Sequence, residues 1–150
     1  MRAEFQVQII PFIKSQRNLL EFCVFKRNKP VMWQFISGGG EDSELPIEAA
    51  IRESFEEAQI KNRPFYKLDT TSSIPTYWFK AHANKPNLYV VPEYCFAVEL
   101  DSKDIVLSDE HSEFEFCDYK KASELLRFDN NKTALWELRK RLERNDLKEV

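Results

Sequence analysis

All three glycines of this chain stand side by side, at Gly38, Gly39 and Gly40, between a short apolar run and a helical pattern. Glycine tolerates positive φ and lets other atoms come close to the backbone, so their concentration marks one place under special demand. Met32 to Ile36 reads as a short strand running straight into Ser37 and the glycines. From Glu44 to Gln59 the periodicity is helical, with Pro46 where a first-turn proline is tolerated. The expected unit is strand, glycine loop, helix. On the glycines alone, a tight strand-to-helix turn would account for it equally well.

The helix narrows the choice. At about 100° per residue, Ile47, Ala50, Ile51, Phe55 and Ala58 fall on one apolar face. Glu53, Glu56 and Glu57 gather on the opposite side within an arc of about 100°. A generic amphipathic helix shows such carboxylates to water. Here, however, Glu53 forms like-charge i,i+3 and i,i+4 pairs, each unfavourable by roughly 0.2–0.5 kcal/mol. Glu56 and Glu57 also sit in the last turn, where the helix dipole disfavours anions. A cation among them would resolve both conflicts. With carboxylate donors and no His or Cys pair nearby, a hard oxygen-seeking ion is expected: Mg²⁺, with Mn²⁺ as a substitute.

The rest of the chain frames this unit. Strands are expected at Phe5–Ile13, Leu19–Phe25, Phe65–Thr70, Ile74–Phe79, Tyr94–Leu100 and Phe114–Tyr119, with a turn at 15–18 and a pocket-bordering loop over 80–93. Helices are expected over 120–127 and 132–144, the second with Leu135, Trp136, Leu138 and Leu142 as a core stripe. No repeat, linker or low-complexity tract appears, so one α/β layered domain over 1–150 is expected. The 25 acidic residues against 22 Lys and Arg give a net charge of −3, which lacks the basic excess of a protein gripping a nucleic-acid polymer. A polyphosphate ligand would be a small molecule, its charge met by a metal. Cys23, Cys95 and Cys117 are widely spaced within apolar runs and read as buried, reduced thiols. The N-terminus has no secretory pattern and no apolar stretch approaches membrane-spanning length, so a soluble cytoplasmic protein without membrane contact is expected.

The pattern Gly38, five residues, Glu44, seven residues, then Arg52-Glu53-Ser54-Phe55-Glu56-Glu57-Ala58-Gln59-Ile60 resembles the Nudix box, G-x5-E-x7-R-E-U-x-E-E-x-G-U with U a bulky aliphatic residue. The resemblance implies a Nudix-type α/β/α sandwich with a mixed sheet, and hydrolysis of a nucleoside diphosphate linked to another group. It implies that Glu53, Glu56 and Glu57 are metal ligands or the catalytic base, that Glu44 and Arg52 orient them, and that the Ser37 carbonyl reaches a metal. A later-loop carboxylate often joins this set; Glu110 is the first choice and Glu113 the second. Two positions depart from the pattern. Ser54 replaces an aliphatic residue, and Gln59 replaces the glycine that ends the helix in a left-handed turn, so glutamine either bears strain or the helix ends differently. Trp33-Gln34, Glu110-His111 and Asn131-Lys132-x-Ala134-Leu135 are similar to the branch holding dihydroneopterin triphosphate and dATP pyrophosphohydrolases. That branch implies a nucleoside triphosphate or dihydroneopterin triphosphate substrate, with pyrophosphate released. The alternative is a Nudix-fold module that binds a nucleotide without cleaving it.

Substrate contacts are less specified. Gly38 and Gly39 could approach phosphates, and Lys26 and Arg27 could neutralise them or could be solvated residues at a strand end. Trp78 and His82, with Phe79 and Tyr89, could stack on a base or could anchor core and loop. His111 could hold Glu110 or assist proton transfer, or serve only as a hydrogen-bonding loop residue.

Overall fold

Arg2–Lys14 forms a strand, β1, whose central residues Val7, Gln8, Ile9, Ile10 and Phe12 are buried on both faces. Double-sided burial explains why this segment lacks strict apolar–polar alternation. The structure is a computed structural model that describes residues 1–17 and 19–150; Asn18, the end of the expected turn at 15–18, lies outside the described residues. Along one edge β1 runs parallel to Val90–Glu99 (β6). Along the other it is shared. Its first part pairs antiparallel with Ile36–Glu41 (β4) as far as Ile9, and its last part pairs antiparallel with Leu20–Asn28 (β2) from Phe12. Pro11, which has no N–H to give to a ladder, falls in the gap where the partner changes.

Val31–Gln34 (β3) flanks β2, Phe65–Pro75 (β5) flanks β6, and Glu113–Cys117 (β7) adds to β2, which completes a mixed seven-stranded sheet. Pro46–Ala58 (α1) covers one face through Val7, Ile9, Phe25, Ile36, Phe96 and Val98. Tyr119–Leu125 (α2) and Asp129–Glu143 (α3) cover the other, over Ile10, Phe12, Phe22, Val24, Leu68 and Ala97. The result is the α/β/α sandwich that the Nudix resemblance implied. Two apolar layers hold it, each fully buried Ile or Phe contributing about 1.5–3 kcal/mol. The three cysteines are buried and free, as read from their spacing. No helix among the described residues is long and apolar enough to cross a membrane.

Several expectations are corrected. The strand expected at Met32–Ile36 is two: β3 stops at Gln34, and β4 restarts at Ile36 and contains the glycines, which are therefore not a loop. None of them has positive φ; they are required for close approach, since a Cβ on Gly40 would overlap the Phe5 ring. No separate strand spans Ile74–Phe79. The β5 strand runs on to Pro75, past an irregularity between Lys67 and Thr71, and short 3₁₀ turns follow at Thr76–Trp78 and Lys80–His82. At that irregularity the Asp69 and Thr70 N–H groups donate to Glu137 at 2.6 and 2.7 Å, so the break in the ladder leaves them paired. On α3, Leu135 and Leu138 face the core, but Trp136 is half exposed.

The α1 helix is also rotated from the expected face. It starts at Pro46, where the Leu45 N–H donates to Glu48 Oε1 at 2.8 Å. Its buried residues are Ala49, Ala50, Glu53, Ser54, Glu57 and Ala58, whereas Ile51 and Phe55 are 47% and 49% exposed. Small side chains on the inward face let the helix come close to the glycine strand, and that fit prevails over burying the larger apolar groups. At the far end Gln59 adopts φ 55°, ψ 33°. The Gln59 and Ile60 N–H groups donate to Phe55 and Ser54 carbonyls at 2.9 and 3.2 Å. The glycine-type ending thus forms with glutamine in a left-handed conformation. Gln59→Gly should relieve that strain and stabilise the protein by about 0.5–1 kcal/mol, read as a higher urea midpoint at unchanged slope. No gain would show that the strain is absorbed elsewhere.

Candidate active site

Arg52 organises the acidic helix. Its Nε and Nη2 donate to the two Glu44 oxygens at 2.8 and 2.9 Å, and Nη2 also donates to the Gly39 carbonyl at 2.9 Å. Its Nη1 donates to Glu53 Oε1 at 2.8 Å and Glu56 Oε2 at 3.2 Å. Glu44 is positioned in turn by accepting from the Glu41 N–H at 2.8 Å. The guanidinium fork therefore ties the end of β4, the loop before α1 and two box carboxylates together. Hydrogen bonds from Arg52 hold Glu44 below the usual carboxylate range.

The helix lies so close to β4 that a Cβ on Gly38 would overlap the Glu53 carboxyl. Glu53 and Glu57 are 8% and 2% exposed and turn toward the sheet, so the trio expected to gather opposite the apolar face is divided: only Glu56 is open to solvent. Burial raises the Glu53 pKa against the pull of Arg52. Burial raises Glu57 much further, helped by the neighbouring charges of Glu53 and Glu110.

The segment before β7 completes the cluster. The Val106 and Ser108 N–H groups donate to the Ala58 and Glu57 carbonyls, both at 3.3 Å, and so use acceptors that a helix C-terminus leaves open. That docking brings Glu110 and His111 to Glu57. One ligand atom from each of the three lies within 4.8 Å of the others. His111 is buried, its Nδ1 3.5 Å from Glu57 Oε1 and its Nε2 3.0 Å from Gln34 Nε2. Burial, then Arg27, lowers its pKa to about 4, so the imidazole is neutral near pH 7. With the Gln34 amide donating to Nε2, the ring carries its proton on Nδ1, toward Glu57. The pairing of Gln34 with His111 was not anticipated from sequence; the two residues are far apart in the chain and meet only through sheet pairing.

Both Glu57 oxygens and His111 Nδ1 are buried without a hydrogen-bond partner among the described residues. The unpartnered Glu57 oxygens, next to further carboxylates, are the surroundings that a divalent cation satisfies, and carboxylate oxygens suit a hard one. The residues present fit such an ion.

The other candidates divide, with Arg27 beside this cluster and Lys26, Trp78 and His82 committed to other contacts. Ser37 lies in β4 opposite Gln8. Lys26 is paired with Glu113 at 3.1 Å, which commits both to a partly exposed ion pair across β2 and β7. Arg27 lines a recess of about 400 Å³ with Glu110 and His111. Trp78 is 53% exposed and packs on Phe128 with ring centroids 5.5 Å apart. His82 does not open onto a stacking pocket: it is 2% exposed, edge-on to Phe79 at 6.1 Å, and burial lowers its pKa.

Fold and site define an α/β/α protein built around an arginine-braced carboxylate helix that follows a glycine strand. The chain belongs to the Nudix family and is a Nudix hydrolase: the NUDIX domain model matches residues 7–137. It is 30% identical over 133 residues to a dihydroneopterin triphosphate diphosphatase of Haemophilus influenzae, covering 86% of this chain and 83% of the relative. A Listeria monocytogenes protein solved as a candidate NUDIX hydrolase is 48% identical, with TM-score 0.89 over 99% of this chain and 100% of that one. The dihydroneopterin triphosphate pyrophosphohydrolase of E. coli shares the fold alone, at 20% identity and TM-score 0.72, with 89% of this chain and 93% of that chain covered.

Proposed function

We propose that residues 1–150 act as one catalytic domain, in the cytoplasm, that hydrolyses a phosphoanhydride of a small nucleotide-like triphosphate in the presence of Mg²⁺. A nucleoside triphosphate or dihydroneopterin triphosphate, with pyrophosphate released, is the substrate class favoured. The observation that carries this reading is the cluster of buried Glu57, Glu53 and His111 with exposed Glu110, in which neither buried Glu57 oxygen has a hydrogen-bond partner among the described residues. The activity named for the Haemophilus influenzae relative supports the substrate class.

Glu53, Glu56, Glu57 and Glu110 would hold the ion, with the Ser37 carbonyl as a further donor. A bound Mg²⁺ or Mn²⁺ supplies charge neutralisation at the phosphates and a more acidic water. Arg52 and Glu44 fix the carboxylates before substrate arrives, so little reorganisation accompanies the reaction. A box glutamate or Glu110 takes the proton of the attacking water. His111 turns Glu57 and keeps its own charge out of the site.

The test is a panel of nucleoside triphosphates, dihydroneopterin triphosphate, sugar nucleotides and dinucleoside polyphosphates with Mg²⁺. Products are resolved as phosphate, pyrophosphate or nucleoside monophosphate. Pyrophosphate from a triphosphate is expected. Tight nucleotide binding without turnover in Mg²⁺ or Mn²⁺ would instead make the chain a binding module.

A further inference from the structure

A second polar group lies on the opposite face of the sheet, clear of the carboxylate helix. Gln6 and Gln8 interrupt the otherwise apolar β1, and Gln6 lies beside Glu93 of β6 in the parallel register. On the same face Ile10 and Phe12 continue under the helices, so these polar residues sit just beyond the N-terminus of α3. Asn130 and Asn131 reach back from there. Gln8 Nε2 donates to Glu93 Oε1 at 3.2 Å, Asn130 Nδ2 donates to the same oxygen at 2.7 Å, and Asn131 Nδ2 donates to Gln8 Oε1 at 2.8 Å.

This network is poorly explained as a device for stability. Glu93 is 7% exposed and meets only amides, with no cation in ion-pair contact among the described residues; burial raises its pKa. Asn131 is 6% exposed, and its Oδ1 has no hydrogen-bond partner among the described residues. A network with open acceptors destabilises a core unless a ligand completes it. Both acceptors are held from opposite ends of the Gln8 amide. A carboxylate offers about four acceptor positions, and the two known donors share Oε1, which leaves Oε2 for N–H groups from outside. Half-exposed Trp78, packed on Phe128 two residues ahead of Asn130, offers a flat apolar surface nearby.

The placement sets the path by which one nucleotide would meet both groups. Glu93, Gln6 and Gly39 stand in one row across β6, β1 and β4, two strand spacings or about 10 Å. The Gly39 carbonyl is held by Arg52. Because Glu93 and the carboxylate helix lie on opposite faces, a ligand held at Glu93 would reach Arg52 round the edge of the sheet at β4, which pairs with β1 alone.

We propose that Glu93, held by Gln8 and Asn130 beside Asn131, binds the adjacent ring N–H and amino group of a 2-amino-4-oxopyrimidine, the edge shared by guanine and pterins, and so selects the substrate's heterocycle. The proposal rests on the hydrolase reading above. Adenine turns a ring-nitrogen lone pair toward such acceptors, and hypoxanthine supplies one donor where two are needed. A site built to meet donors discriminates strongly against analogues that lack them.

Two measurements on the folded protein test this. In Mg²⁺, kcat/KM for GTP or dihydroneopterin triphosphate should exceed that for ITP and ATP by at least about 100-fold. In Glu93→Gln, with folding checked by circular dichroism, the ratio of GTP to ITP should fall to within about threefold of one. Independently of turnover, calorimetry with GMP, neopterin, IMP and AMP should show GMP or neopterin binding at least about tenfold tighter than the other two. GMP against neopterin tells a guanine nucleotide from a pterin. Absence of turnover on every compound would remove the hydrolase reading but leave calorimetry to decide this one. Equal binding of all four, or a GTP-to-ITP ratio that Glu93→Gln leaves unchanged, would overturn it.

Discussion

Replacing Glu57 with glutamine is expected to lower Mg²⁺-dependent turnover by about 100-fold or more while making the metal-free protein more stable. Both effects follow from one geometry. Glu57 is 2% exposed, faces Glu53 and Glu110, and has no hydrogen-bond partner for either oxygen among the described residues. Its carboxyl therefore ionises at higher pH in the folded chain than in the unfolded one. The folded state then holds a proton that the unfolded state has already released, so stability falls as pH rises above the ordinary carboxylate range. Glutamine carries no charge, and its amide can donate to Glu53 or Glu110. At pH 8 without metal the variant should be more stable than the parent by about 1–3 kcal/mol, and near pH 4 the difference should close. Mg²⁺ at about 100 times its dissociation constant should add about 2.7 kcal/mol to the parent, and markedly less to the variant. Melting curves at the two pH values, with and without metal, separate these terms. Full turnover together with an undiminished metal shift would remove Glu57 from the proposed site.

Gly38→Ala is expected to damage the site from outside the carboxylate set. The added Cβ would overlap the Glu53 carboxyl. Glu53 can move only by leaving Arg52 Nη1, which it accepts from at 2.8 Å, or α1 must lift from β4. Lifting the helix opens the packing of Ala49, Ala50 and Ala58. Overpacking of this kind costs about 1–3 kcal/mol. A displacement of about 1 Å in a positioned group can lower turnover by about 100-fold, so a large fall in kcat with retained folding is expected. If the alanine variant kept its metal affinity and kcat, close packing of β4 on Glu53 would have no part in the proposed chemistry.

The Gln8, Glu93 and Asn130 group shows why a second site escaped the sequence. A polar residue at a strand position whose neighbours are buried is a weak signal by itself. It gains meaning only when β1, β6 and the start of α3 converge, and those residues are separated by 85 and 123 positions in the pairs with Gln8. His111 and Gln34 illustrate the same limit at the carboxylate helix. The Glu-His pair was visible, but its contact with Gln34 depends on sheet pairing and on the segment that docks to the end of α1.

What the sequence determined by itself was whatever repeats or spaces locally. Spacing along one helix gathered Arg52, Glu53, Glu56 and Glu57, and the same pattern carried the family and hence the three-layer fold. Long strands and the terminal helices were legible because apolar periodicity follows from backbone geometry alone. The tertiary structure decided which face of α1 turns inward. Periodicity favoured Ile51 and Phe55, yet the sheet admits the small residues with Glu53 and Glu57, because a helix can pack closely on a glycine strand only through small side chains. It also decided that the glycines belong to a strand. Their use there is space for a carboxylate, and nothing in a linear sequence states what will lie across from Gly38.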